Sequence, residues 1–530
     1  MTDSPPTTCA AFEWTAIEWA TAPAQRTRDG HEVTWGQLRV KVHRLAGGLA
    51  ALGIARGQTV AMLLTNRPEF LVVDLATQFA GGTPMSLYAT SPIPEIAYLL
   101  DDAAVRVVVT ESRFEATIRA AVAQAAVDPR VIVLADTGDA ALESITGDDP
   151  VVTLRPDDVA TLVYTSGTTG PPKGVQLTHR NMAAMWRAAL SMDPRLANLR
   201  RVISYLPSAH IADRLWCLQG PVRTGACVTY VPDPTELLAA MMEVRPTFFL
   251  GMPRMWEKLR VALLARVPEG ARPEDPTVAA DLRTFLGLDG DVVCLTGGAP
   301  LDVEILDFYE RIGLPLLEGY GMTEVSGVIT STRVGRGRAG SVGVPFDGIE
   351  IRLADDGEIE VHGEAVMLGY RNKPEATAEA IGPDGWLSTG DVGTLDGDGF
   401  LTITGRKKEL IVTSGGKNVS PANVENAIRA ATALAGPVLA IGDRRPYVTA
   451  LVSLDPVESG GRPAADVHAA IAGAIEAANA GLAQAAQVKR FAIVDDVWDA
   501  GSGFVTPTLK LKRAAVFEHY AKEIDALYSD

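Results

Sequence analysis

The sequence predicts an α/β fold in two unequal parts: a large N-terminal part with parallel-type sheets and a β-rich section, then a small α+β C-terminal part. Three observations carry that expectation. Short apolar, β-branched runs alternate with helically periodic segments through most of the chain, the pattern of sheets covered by helices. From about Gly357 the texture changes to short strands parted by glycine turns, as in GEIEVHG and GFLTITGRKKELIVTSGG. After Gly436 an Ala-rich stretch near 464–487 leads into a strand over 490–494.

The elements follow in order. Residues 59–64 (TVAMLL), 105–110 (VRVVVT) and 130–134 (RVIVL) are short apolar runs that read as buried strands. Residues 35–52 repeat apolar side chains at helical spacing. A strand over 160–163 runs directly into YTSGTTGPPKGV (164–175), and LTGGAPL (295–301) and LLEGYGMTE (316–324) each read as a strand ending in a glycine turn. Alanine is the best helix former, so 464–487 reads as a helix rather than as low complexity. Charge and glycine cluster between two apolar strands at 405–408, which divides the chain into 1–405 and 406–530. There is no internal repeat.

Composition bounds the function. A chain of 530 residues exceeds one ordinary domain, and 47% apolar with 21% charged residues is globular. The formal charge of −17 makes nucleic acid a poor partner. Cys9, Cys217, Cys227 and Cys294 form no CxxC pair, so neither a disulfide framework nor a zinc site is expected. The start, MTDSPPTTCAAFEW, lacks a basic region followed by an apolar run, and no uncharged apolar stretch approaches about 20 residues. The expectation is a cytoplasmic protein with no transmembrane segment.

YTSGTTGPPKGV is the most informative stretch. Gly167, Gly170 and Gly174 let backbone N–H groups approach an anion closely. Thr165, Ser166, Thr168 and Thr169 add hydroxyl donors and Lys173 adds a charge, which suits a triphosphate. The spacing is not that of GxxxxGK[ST]. This segment resembles the signature phosphate loop of the acyl-adenylate-forming superfamily: acyl-CoA synthetases, peptide-synthetase adenylation domains and luciferases. The resemblance runs from about Trp35 to about Arg513.

That resemblance implies roles for further segments. YLPSAHIADR (205–214) and PTFFLGMPRMWEKL (246–259) are similar to the long-chain fatty acyl-CoA synthetase subgroup. The first implies that His210 contacts the carboxylate or gates its entry, and the second has aromatic and Met residues that suit either an acyl tunnel or plain core packing. Gly297, Gly298 and Ala299 would pack against adenine, Tyr320 would stack on it, and Glu318, Gly319, Gly321 and Met322 would complete that turn. Thr323 would contact the α-phosphate and Glu324 would hold Mg²⁺. Asp391 in GWLSTGDVG and Arg406 in GRKKEL would bind the ribose hydroxyls, and Lys408 would be the hinge of a small mobile lid domain. TPTLKLKR (506–513) resembles the stretch with the catalytic lysine, assigning that role to Lys510 with Lys512 as alternate, since a strand would point both the same way. TSGGKNVSP (413–421) looks like the loop that meets CoA, through Ser414, Gly415, Gly416 and Lys417.

The implied enzyme is an AMP-forming acid–thiol ligase using ATP, Mg²⁺ and CoA. The implied acid is hydrophobic: a long-chain fatty acid, or a bulky polycyclic acid of specialised metabolism. Around 340–358 the chain runs compactly, without the insertion that acyl-AMP ligases commonly carry, which favours CoA over an acyl carrier protein as acceptor. A carrier-protein ligase, a luciferase-like oxygenase and a non-catalytic nucleotide-binding homologue are the competing classes. A homodimer is compatible with the sequence.

Overall fold

The computed structural model describes residues 5–135, 140–150, 152–165, 171–338, 340–499, 501–506 and 510–529. Its largest sheet has seven strands. Five run parallel, in the order Val159–Thr165, Thr83–Ser86, Thr59–Leu63, Val105–Glu111, Arg130–Leu134. The sheet is mixed rather than purely parallel, because Lys173–Thr178 folds back antiparallel on Val159–Thr165 and Gly369–Tyr370 adds an antiparallel edge. A second sheet does the same. Phe248–Gly251, Val293–Gly297 and Leu316–Met322 are parallel, then Gly327–Ser331 and Val344–Pro345 close it antiparallel. A third, of four strands, contains Pro23–Thr27 and Cys227–Tyr230, and a fourth is wholly antiparallel over Glu350–Leu353, Glu358–His362, Leu387–Leu395 and Leu401–Arg406. The β-rich section thus begins before Gly357.

Local chemistry sets the element ends. The helix Trp35–Ala51 opens on a capping box between Thr34 and Gln37. The Ala-rich helix runs Ala464–Gly481 and stops short of 487, because Leu482 turns extended. Asn479 then pairs with both the N–H and the C=O of Val488, starting the strand Val488–Val494 two residues earlier than the sequence predicts.

That strand lies parallel to Val448–Leu454, which pairs antiparallel with Ala435–Ile441. Val424 and Ile428 of the helix Pro421–Ala431 pack with Val438, Val452, Ile471 and Ile475 in one core. The C-terminal α+β unit therefore reaches back before Gly436. The large part has its own cores, with Trp35, Trp216 and Trp256 fully buried. Among the described residues no helix is long and apolar enough to cross a membrane.

Candidate functional site

Thr165 and Lys173 face each other across the antiparallel pair that follows the parallel sheet. Both stand at the carboxyl end of the strand Val159–Thr165, the side on which ligands of such sheets bind. Ser166, Gly167, Thr168, Thr169 and Gly170 lie outside the described residues. The Lys173 ammonium stands 4.8 Å over the ring of Tyr370, whose hydroxyl donates to Glu324 Oε1 at 3.0 Å.

Glu324 sits in a tight turn, Thr323–Val325, directly after the strand Leu316–Met322. Ser326 holds the turn in a left-handed conformation (φ +62°) and donates to Ala365 O at 2.7 Å. Burial raises the Glu324 carboxyl above its usual range, and Tyr370, Arg406 and Lys173 pull against that rise. Among the described residues no three His, Cys, Asp or Glu form a closed metal site. A single buried carboxylate fits a magnesium ion that takes its other ligands from phosphate and water.

The glycine turns are set by backbone apposition. Gly297 and Gly319 are parallel partners, and a Cβ on Gly297 would lie 2.7 Å from the Gly319 oxygen. A Cβ on Gly321 would lie 1.8 Å from the Gly327 oxygen. Gly298 takes φ +81° and, with Ala299, is exposed at the rim. Glu318 faces inward, accepting from the Leu301 N–H at 3.3 Å, so it ties the two turns together; burial pushes its pKa up to about 7. Met322 is half-buried at the strand's end.

Asp391 uses both carboxylate oxygens: Arg406 Nε donates to Oδ1 at 2.9 Å and the Tyr320 hydroxyl to Oδ2 at 2.8 Å. Burial alone would lower the Arg406 pKa, and Asp391 more than reverses that. Lys510 presents an exposed surface to the cleft, yet its ammonium is set among the charges of Arg406, Asp391, Glu324 and Glu409. The surrounding protein first, then Arg406, lowers its pKa, and the carboxylates oppose this. His210 caps the turn Ile211–Asp213, its Nδ1 accepting from the Ala212 N–H at 3.1 Å. Burial, then the charge of Lys510, pushes its pKa down to about 4. With Nδ1 accepting, the neutral ring carries its proton on Nε2.

Other expected residues stand apart. Lys512 does not share a strand with Lys510: Val505 and Leu511 form an isolated bridge, and Lys512 caps the helix Arg513–His519. Lys408 is exposed in the turn after Arg406. Ser414, Gly415, Gly416 and Lys417 form the exposed tip between Ile411–Val412 and Asn418–Val419, closed by the Lys417 N–H on Thr413 Oγ1 at 3.2 Å. Trp256 of PRMWEKL is a core residue, packed on Phe249 and Tyr309. Tyr370 joins the site without any sequence signal to announce it.

A family model described as AMP-binding enzyme matches residues 12–371, and one described as AMP-binding enzyme C-terminal domain matches 408–530. A long-chain-fatty-acid–CoA ligase of Mycobacterium bovis is 33% identical, covering 95% of this chain and 94% of its own. One of Gallus gallus is 30% identical over 94% of this chain and 78% of its own. The fold also matches the O-succinylbenzoate coenzyme A synthetase of Bacillus subtilis in complex with ATP and magnesium ion, at a TM-score of 0.76 and 26% identity, covering 95% of this chain and 98% of that one.

Proposed function

The chain belongs to the AMP-binding enzyme family and is an ATP-dependent, AMP-forming acyl-CoA ligase, and from that premise we propose that its acid is a long-chain fatty acid. The observation that carries the site assignment is that Tyr370 joins Lys173 to Glu324 while Asp391 bonds Arg406 and Lys510 lies among the charges of Arg406, Asp391 and Glu324, all from distant stretches of chain. Support for a fatty acid comes from the names of the relatives; the small apolar cavity beside the His210 turn, lined among others by Leu206, Ala212, Trp216, Phe248 and Leu250, has room for about one water and carries no part of the assignment.

In the first half-reaction Asp391 and Arg406 hold the ribose hydroxyls, and Lys173 with its loop holds the phosphates. His210 donates its Nε2 proton to one oxygen of the substrate carboxylate and so orients the other toward the α-phosphorus. Lys510 faces the same point and offsets the charge that builds as pyrophosphate leaves. Glu324 would hold a magnesium ion, which would supply charge neutralisation for the leaving pyrophosphate. In the second half-reaction the CoA thiol attacks the acyl carbonyl and AMP departs. The Ser414–Lys417 tip serves that step once residues 406–530 turn as a lid about Lys408.

Mass spectrometry of acyl-CoA formed with ATP and CoA, across short to long fatty acids and aryl and polycyclic acids, tests the reading. Thioester from long-chain acids is expected, lost in Lys510→Ala. Thioester from polycyclic acids alone overturns the fatty-acid assignment, and acyl-AMP without acyl-CoA points to a carrier protein as acceptor.

A further inference from the structure

We propose that Asp455, through Arg254 and Lys258, is a positioning residue for adenylation, holding the C-terminal sheet so that Lys510 stands at the cleft. The proposal rests on the reading of Lys510 given above. It starts from the PRMWEKL segment, which the acyl site does not absorb. In the helix Pro253–Leu264, Trp256 and Leu259 face the core, whereas Arg254 and Lys258, four residues apart, lie together on the outer face. Both turn toward one carboxylate of the C-terminal unit. Asp455 Oδ2 lies 3.2 Å from Arg254 Nη2 and 3.7 Å from Lys258 Nζ. Arg254 Nη2 also donates to Ala433 O at 3.4 Å, beside Asp455, whose N–H donates to Leu434 O at 2.9 Å.

Asp455 is divided between two tasks. Its Oδ1 caps the short helix Pro456–Ser459, accepting from the N–H groups of Val457 and Glu458 at 3.0 and 3.3 Å. That fixes the side chain and leaves Oδ2 aimed at the large part. The link from Asp455 to Lys510 is short and packed. Asp455 directly follows the strand Val448–Leu454. There the Ser453 hydroxyl donates to Asp496 O at 2.8 Å and accepts from the Trp498 N–H at 3.1 Å. Trp498 and Val505 share a core cluster against which Leu511 packs, and Leu511 adjoins Lys510. A carboxylate clamped at this end of the sheet is therefore tied, through packed side chains, to the segment that carries Lys510.

The test separates the two half-reactions in the full-length enzyme: single-turnover acyl-AMP formation from ATP and palmitate, and thioester formation from supplied palmitoyl-AMP and CoA. Asp455→Asn keeps the capping oxygen and removes the charge; Arg254→Gln with Lys258→Gln removes the cations. Each is expected to slow acyl-AMP formation about 3- to 10-fold while thioester transfer stays at the wild-type rate, and the combined variant is expected to be no slower than either. Unchanged acyl-AMP formation in Asp455→Asn overturns the proposal, and so does an equal fall in both half-reactions, which marks a merely structural role. Lys510→Ala is the separate control. If it adenylates normally, the reading of Lys510 fails and the positioning role with it. If it does not, and Asp455→Asn is unaffected, only the positioning role fails.

Discussion

Asp391 and Arg406 stand directly opposite each other on adjacent antiparallel strands, joined at 2.9 Å while Tyr320 occupies the second carboxylate oxygen. The register of one hairpin thus fixes an acceptor and a donor side by side. Charge-assisted hydrogen bonds of this kind contribute about 1.5–3 kcal/mol each. Asp391→Ala is therefore expected to raise the KM for ATP by tenfold or more, with folding retained. An unchanged KM would remove the pair from the nucleotide site.

Glu324→Gln keeps the size of the side chain and an oxygen able to accept from Tyr370 but removes the charge that fits a magnesium ion. We expect kcat to fall about 10- to 100-fold, with the magnesium concentration for half-maximal rate shifted upward. Titration of MgCl₂ against pyrophosphate release checks this. A lowered rate with an unmoved magnesium dependence would leave Glu324 a role in packing alone.

Gly321→Ala would place a Cβ 1.8 Å from the Gly327 carbonyl oxygen, a backbone atom that cannot rotate away. The strand Leu316–Met322 must then part from its antiparallel neighbour Gly327–Ser331, and Glu324 moves with it. Loss of soluble enzyme, or a fall in Tm of several degrees with loss of activity, is expected. Gly298→Ala meets only the flexible end of Met252, at 3.0 Å, although its φ of +81° strains the backbone. It should therefore fold better than Gly321→Ala, as thermal melts of the two proteins would reveal.

What the sequence could say about this fold and site follows from the range of each interaction. The strand-end turns at Gly297 and Gly321 are spelled out within short windows, because turn geometry is local. The antiparallel strands added to both parallel sheets escaped the reading, since apolar runs do not encode direction. Tyr370 reaches Glu324 across 46 positions of chain, and Arg254 reaches Asp455 across 201. No periodicity or motif records such pairings; only packing creates them. Holding Lys512 as the alternate to Lys510 assumes a strand, whereas one isolated bridge and a helix cap separate them.

Asp213 yields a pH dependence with a definite sign. It is 3% exposed on the wall of the cavity beside His210, accepting from the Ser204 hydroxyl at 3.1 Å. Burial pushes its pKa from 3.8 up to about 7, against the opposing pull of Cys217, Ser204 and Arg214. A folded-state pKa raised above the unfolded value gives stability that is complete below about pH 4 and is lost as pH rises through about 7, because the unfolded chain releases its proton first. His179 and His210, both pushed down to about 4, slope the other way between about pH 4 and 6.5, so the wild-type curve alone is ambiguous. The comparison with Asp213→Asn is not, since the amide accepts from Ser204 but cannot ionise. The Tm of Asp213→Asn relative to wild type is expected to rise between pH 5 and pH 8, with a ceiling of about 3 kcal/mol in stability set by the interval from pH 5 to the folded-state value of about 7. Melting curves that stay parallel across that window would show that Asp213 titrates as it does in the unfolded chain.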